Sequence, residues 1–200
     1  MTEKNKQIIK KDLEQIEKAK ILGIMKQYYH VSLDNFIAKT PSQIKAKQAI
    51  GELVSKLGKQ ILAISGPCGV GKTHLLCAGL LMADEGRYVT MMEVEIRIRS
   101  SHSPRGKETE AKILNELIKE PLLAIDDVNY NGKGTRLEHD WFTYLVSERQ
   151  ARLRPTILAT NSGLCLEDLL GNFIISRVTE TIIIDGPDHR QVNLDIKGDI

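Results

Sequence analysis

Apolar positions recur along this chain in two rhythms. Over the first 27 residues Ile9, Leu13, Ile16 and Ala19 stand three or four apart among Lys and Glu, a spacing that gathers them on one face of an amphipathic helix. Such a face either packs on its own domain or docks a partner, and the pattern supports both. Gly23 and the stretch YYHVSLDNF then break it. Thr40-Pro41 marks a second helix start, with Pro in the first turn where no helical bond needs its N–H; this helix is expected to run to Gly58. Beyond it, short apolar runs alternate with longer mixed segments. Strands are expected over 61–65, 88–93, 121–126, 155–160 and 181–185, helices over 72–84, 108–119 and 138–152, and short helices over 165–178. Strands separated by helices read as a parallel α/β sheet. The polar segment RSSHSPRGKE (99–108) and the loop NYNGKG (129–134) are the expected mobile places.

Composition narrows the picture without changing it. Two hundred residues, 42% hydrophobic and 27% charged, suit one core of ordinary size. A net charge of +2 does not describe a general polyanion binder, although seven lysines against four acids in the first thirty residues hold the excess. Any nucleic-acid contact is therefore local. The three cysteines, Cys68, Cys77 and Cys165, form no C-x-x-C pair and are odd in number, which excludes a zinc site or disulfide framework built from them and fits a reducing cytoplasmic setting. No stretch reaches the roughly 20 apolar residues a membrane span needs; a soluble, untargeted protein with no membrane contact is expected.

The chemistry begins after the first of the five strands. Gly66-Pro67-Cys68-Gly69-Val70-Gly71-Lys72-Thr73 fits G-x-x-x-x-G-K-[ST] at every fixed position and lies between a strand and a helix, as that phosphate-binding loop requires. Glycines let successive N–H groups turn onto phosphate oxygens, and the helix N-terminus adds partial positive charge. Lys72 is placed for the β- and γ-phosphates and the Thr73 hydroxyl for Mg²⁺. His74 opens the helix and Cys68 fills a variable loop position; neither is a catalytic candidate. Some fifty residues on, LLAIDDVN (122–129) ends an apolar strand in two carboxylates. Asp126 is positioned for the Mg²⁺ shell and Asp127 to polarise water. PTILAT ends at Asn161, whose amide is within reach of that water if the strands are neighbours.

The order of these parts resembles the AAA+ ATPases of the DnaC/DnaI helicase-loader and IstB-like transposition-helper family. The likeness rests on GPCGVGKTH, IDD, ILATN, SRV at 176–178 and GPDHR at 186–190, supported by LGIMKQYYHVSLDNF and SERQARLRPTILATN. It covers roughly residues 21–192. It implies an AAA+ P-loop fold: a five-stranded parallel sheet flanked by helices, a short N-terminal helical extension (1–35), an ATPase domain (36–200) and no sizeable C-terminal lid. ATP and Mg²⁺ are the implied cofactors, with Gly66 to His74 around the nucleotide. Lys72 and Thr73 then match the Walker A pair, Asp126 and Asp127 the Walker B pair, and Asn161 sensor 1. Arg177 matches the arginine finger reaching a neighbouring subunit's γ-phosphate, so the resemblance implies a homo-oligomer. Arg190 matches sensor 2 within the same subunit. An Arg suits either post because its charge is permanent and its fork fits phosphate oxygens.

Two departures qualify what is implied. Asp127 stands where many AAA+ proteins carry Glu, and its shorter arm favours slow, switch-like turnover. The N-terminal region is short and lacks the cysteines of zinc-bearing loaders. Three readings follow: an ATP-driven loader of the replicative helicase onto single-stranded DNA, an ATPase helper of a transposase, and a small-molecule P-loop kinase. No arginine-rich lid or acceptor site is evident for the third. Arg97, Arg99, Arg105 and Lys107 form a candidate single-stranded DNA patch, without the interleaved aromatics that stack bases.

Overall fold

The computed structural model describes residues 3–55, 61–104, 106–128, 136–161, 172 and 174–189. Its elements are α1 (Glu3–Ile21), α2 (Pro41–Ser55), β1 (Ile61–Ser65), α3 (Lys72–Ala83), β2 (Arg87–Thr90), α4 (Met91–Ser101), α5 (Glu110–Lys119), β3 (Leu123–Asp126), α6 (Arg136–Ala151), β4 (Thr156–Thr160) and β5 (Glu180–Ile183). The strands form one sheet in the order β2-β3-β4-β1-β5, with every neighbouring pair parallel. β1, β3 and β4 are buried along their whole length, which is why they read as unbroken apolar runs rather than alternating ones. One face is covered by α2, α3 and the end of α1, the other by α4, α5 and α6.

The expected five-stranded parallel sheet is present, with one segment reassigned. The strand expected over 88–93 ends at Thr90, and α4 begins at Met91. The Thr90 hydroxyl accepts from the Glu93 N–H at 3.1 Å, capping the helix start. Met91, Val94 and Ile98 turn inward at helical spacing. Expected mobile residues 99–101 therefore close a helix, while 129–134 and most of the expected short helices over 165–178 lie outside the described residues.

Only the end of the N-terminal stripe is packed. Ala19 is fully buried and Leu22, Ile24, Val31 and Phe36 join the cluster over α2 and α3, whereas Ile8, Ile9 and Leu13 stay exposed. Lys18 ties the helix down by donating to the Leu81 carbonyl at 2.6 Å and pairing with Asp84 at 2.7 Å. Thr40 and Gln43 form a reciprocal cap at the start of α2: the Gln43 N–H donates to the Thr40 hydroxyl, and Gln43 Oε1 accepts from the Thr40 N–H, both at 3.2 Å. Gln43 is wholly buried because its Nε2 donates onward to the Val70 carbonyl at 3.1 Å, coupling this helix start to the glycine-rich loop.

Candidate nucleotide site

Parallel strands deliver their carboxyl ends to one edge of the sheet, and β3, β4 and β1 are adjacent. The loop after β1, the acids after β3 and Asn161 after β4 are consequently brought together by topology alone. This is the position at which open parallel α/β sheets bind ligands.

The loop backbone is shaped for close approach. Gly69 and Gly71 have φ of +80° and +99°, a region that disfavours side-chain-bearing residues. A Cβ on Gly69 would overlap the Asp188 carboxylate, and one on Gly71 would strike the Phe36 ring. Pro67 and Cys68 are exposed, Val70 is anchored in the core, and Gly66 is buried at the end of β1. Lys72, only 5% exposed, donates its ammonium to the carbonyls of Gly66 and Pro67 at 2.8 and 2.7 Å. The cation is thus folded back over its own loop.

Asp126 and Asp127 are separated in role by one residue of chain. Asp126 is buried; its Oδ2 accepts from the Thr73 hydroxyl at 2.6 Å and from the Tyr88 hydroxyl at 2.9 Å, and its Oδ1 from the Asp127 N–H at 2.8 Å. Thr73 and Asp126 present hard oxygens side by side, the donor type that Mg²⁺ takes together with phosphate and water. Asp127 is exposed, adopts φ +52° and accepts from Asn161 Nδ2 at 2.5 Å. Left-handed backbone in a non-glycine residue is held against its own preference; here it turns the second carboxylate away from the first and toward Asn161.

A cavity of about 350 Å³ joins these groups. Lys72, Thr73, Asp127 and Asn161 line one part, and Tyr28, Asn35, Phe36 and Ile37 line another. His74 bridges the two: its Nε2 lies 3.2 Å from both the Ser32 carbonyl and Asn35 Oδ1, and its ring meets Phe36 edge-on at 5.2 Å. Burial pulls the His74 pKa below its usual 6.5, partly offset by the Ser32 carbonyl. His189 also lines the cavity, and its buried Nε2 has no hydrogen-bond partner among the described residues.

Several of these residues escaped the sequence reading. Tyr28, Asn35, Phe36 and Ile37 come from the lead-in, whose irregular sequence carries no periodicity; Tyr88 is an ordinary strand residue until the sheet sets it beside Asp126. Arg177 is half-buried before β5, its Nη1 3.2 Å from the Ser176 hydroxyl, and is not among the residues lining its own chain's cavity. Arg190 lies outside the described residues.

The candidate basic patch is divided by the fold. Helix α4 turns Arg97 toward Glu116 of α5 and Glu108 just before it, its guanidinium pairing with them at 2.8 and 3.2 Å. Arg99 faces outward with Glu95 3.9 Å away, Lys107 is exposed, and Arg105 lies outside the described residues.

No family model matches the chain. It is 28% identical over 163 residues to the replicative helicase loader DnaC of Buchnera aphidicola subsp. Baizongia pistaciae, a match spanning 78% of this chain and 66% of the relative. It is 29% identical over 136 residues to the insertion sequence IS21 putative ATP-binding protein of Pseudomonas aeruginosa, spanning 67% of this chain and 49% of that one. The chain therefore spans just under two thirds of one curated relative and about half of the other. A crystal structure of the DnaC helicase loader superposes with a TM-score of 0.69 at 24% identity, covering 80% of this chain and all of that one. Among the described residues no helix is long and apolar enough to cross a membrane. The chain has the AAA+ P-loop fold, and its sequence is similar to a DnaC helicase loader and to an IS21 ATP-binding protein.

Proposed function

We propose that this chain binds and hydrolyses ATP with Mg²⁺ and uses that cycle to load a replicative DNA helicase onto single-stranded DNA. The observation that carries the ATPase reading is the pairing at one sheet edge of Thr73 with Asp126 and of Asn161 with Asp127, beside a loop that fits a phosphate. Glycine backbone at positive φ and a lysine resting on loop carbonyls suit a triphosphate. Thr73 and Asp126 would hold the Mg²⁺, which supplies charge neutralisation at the phosphates when bound. Asp127 takes a proton from water or orients it, and Asn161 fixes the direction of that carboxylate. Turnover is slow because Asp127 is short and already engaged by Asn161, and it rises with DNA or partner.

Arg177 completes the site from a neighbouring copy, so the active form is a homo-oligomer. Its place outside its own cavity supports this reading. Arg190 takes the same-subunit phosphate contact, and residues 1–35, with Ile8, Ile9 and Leu13 exposed, form the extension before the ATPase domain. Single-stranded DNA contacts would involve Arg97, Arg99 and Lys107, with Arg105 nearby in sequence. The loader reading draws on the DnaC likeness over most of the chain. An IstB-like helper of a transposase is the second reading, favoured by the IS21 relative; a small-molecule kinase is the third.

One experiment separates the three. Immobilised replicative helicase and immobilised transposase from the source cell are each offered the protein with MgATP, and helicase deposition on single-stranded DNA is then measured. Retention by helicase and ATP-dependent deposition are expected. Retention by transposase alone would establish the second reading, and phosphate transfer only in the presence of a small-molecule acceptor the third.

A further inference from the structure

Asp126 is held from a direction that the phosphate loop does not explain. Its Oδ2 accepts two hydroxyls, Thr73 Oγ1 at 2.6 Å and Tyr88 Oη at 2.9 Å. Thr73 belongs to the nucleotide loop. Tyr88 does not: it sits on edge strand β2, opposite Ala124 in the ladder, and is 3% exposed. The residue is held at its backbone as well as at its hydroxyl. Its backbone N–H donates to the Leu22 carbonyl at 2.8 Å, while Gly23, at φ +77°, lies so close to the Tyr88 carbonyl that a Cβ there would stand 2.8 Å from it. The turn after α1 thus clamps the backbone that carries the hydroxyl.

We propose that Tyr88 is a positioning residue for the metal-holding carboxylate, its hydroxyl fixing Asp126 in the orientation that shares a Mg²⁺ with Thr73. This rests on the MgATP reading of the site. A buried carboxylate has two equivalent oxygens and a free terminal torsion, so a ligand position is defined only when something outside the metal sets that torsion. The Asp127 N–H holds Oδ1 from one side and Tyr88 holds Oδ2 from the other. If the Thr73 hydroxyl turns to a metal, Tyr88 remains as the hydroxyl donor to Oδ2. A tyrosine hydroxyl is a neutral donor at ordinary working pH.

The test reads binding rather than turnover. A fluorescent ATP analogue is titrated into wild type and Tyr88→Phe, once in excess EDTA and once at fixed nucleotide with rising Mg²⁺. Outer-shell partners of this kind change metal affinity by about 10- to 100-fold, so the Mg²⁺ midpoint should rise about tenfold while the EDTA affinity stays within about twofold. Replacing Tyr88 by 4-aminophenylalanine restores a neutral donor on the same ring, and should return the midpoint to wild type. An unchanged midpoint in Tyr88→Phe overturns the proposal. So does an equal loss in EDTA and Mg²⁺, or a 4-aminophenylalanine protein no better than the Phe variant, either of which marks a general packing role. If Tyr88→Phe fails to fold, 4-fluorophenylalanine, which fills the same space but donates no proton, takes its place with the same outcomes. Wild-type protein that binds nucleotide without any Mg²⁺ dependence would instead refute the underlying reading of Thr73 and Asp126.

Discussion

Replacing Arg149 by Met should destabilise the protein strongly. Arg149 is the bulkiest fully buried side chain described, at 0% exposure. No carboxylate is among its hydrogen-bond acceptors. Its Nε donates to the Thr156 hydroxyl at 2.8 Å, its Nη1 to the carbonyls of Leu117, Ile118 and Glu120 at 2.7, 3.2 and 2.9 Å, and its Nη2 to the Pro155 carbonyl at 2.6 Å. The guanidinium therefore satisfies the last carbonyls of α5, where the helix has no N–H left to offer, and ties them to the start of β4. Burial, reinforced by nearby Arg154, lowers its pKa, and these acceptors are what keep the charge tolerable. Hydrogen bonds to a charged group contribute about 1.5–3 kcal/mol each, but removing the charge also removes its desolvation cost. What remains is the cost of buried carbonyls left without a donor, about 1–3 kcal/mol for each that stays unsatisfied, so the net loss should be about 4 kcal/mol. At about 2–4 °C per kcal/mol for a chain of this size, the melting temperature should fall by about 8–16 °C. Urea unfolding followed by circular dichroism, with the slope unchanged, measures it. A loss under about 1 kcal/mol would show that water or neighbouring donors satisfy those carbonyls, and would refute the reasoning.

Further predictions concern Asp127, Arg177 and His74. Asp127→Asn should keep ATP affinity and lower hydrolysis by about 10²–10⁴; loss of binding would mean the carboxylate holds metal or fold instead. Arg177→Ala should bind ATP normally yet hydrolyse poorly, fingers of this type contributing up to about 10³–10⁵ in GTPases. Mixing it with Lys72→Ala protein should restore turnover under assembling conditions, and mixtures as inactive as each variant alone would reject the contribution in trans. For His74 the folded pKa lies below the unfolded 6.5, so on acidification the unfolded chain takes up the proton first. Stability from this residue is present above 6.5 and is lost as pH falls through the lowered folded value; His74→Gln should flatten that part of a stability-versus-pH curve, and an unaltered slope would contradict it.

What was legible in the sequence and what was not divides along physical lines. β1, the glycine loop and α3 are local: Gly69 and Gly71 are needed where φ is positive, and the apolar runs before them are strands buried on both faces. Asp126, Asp127 and Asn161 were legible because each ends such a run, and parallel topology does the rest. The start of α4 was not legible because Met91 and Met92 continue the apolar run of Tyr88 and Val89, extending the expected strand to 93; the Thr90 to Glu93 cap spacing was the available sign of a helix. The ion pairs of Arg97 were not legible because its partners, Glu108 and Glu116, come from a different segment. Phe36, His189, Tyr88 and Arg149 acquire their roles only through tertiary contacts, and no local pattern announces them.

The central claim is that the loop closing on Lys72 and Thr73 holds a magnesium-bound nucleoside triphosphate. It is tested most directly by equilibrium binding of ATP to the purified protein, with and without Mg²⁺, beside Lys72→Ala. Lys72 is nearly buried and its ammonium already lies on the loop's own carbonyls, so its removal strips the loop of its lysine cation while leaving glycine backbone in place. Saturable, Mg²⁺-enhanced binding by wild type and loss of most of that affinity in the variant are predicted. Equal affinity in the two proteins, or no binding by wild type, would contradict the account.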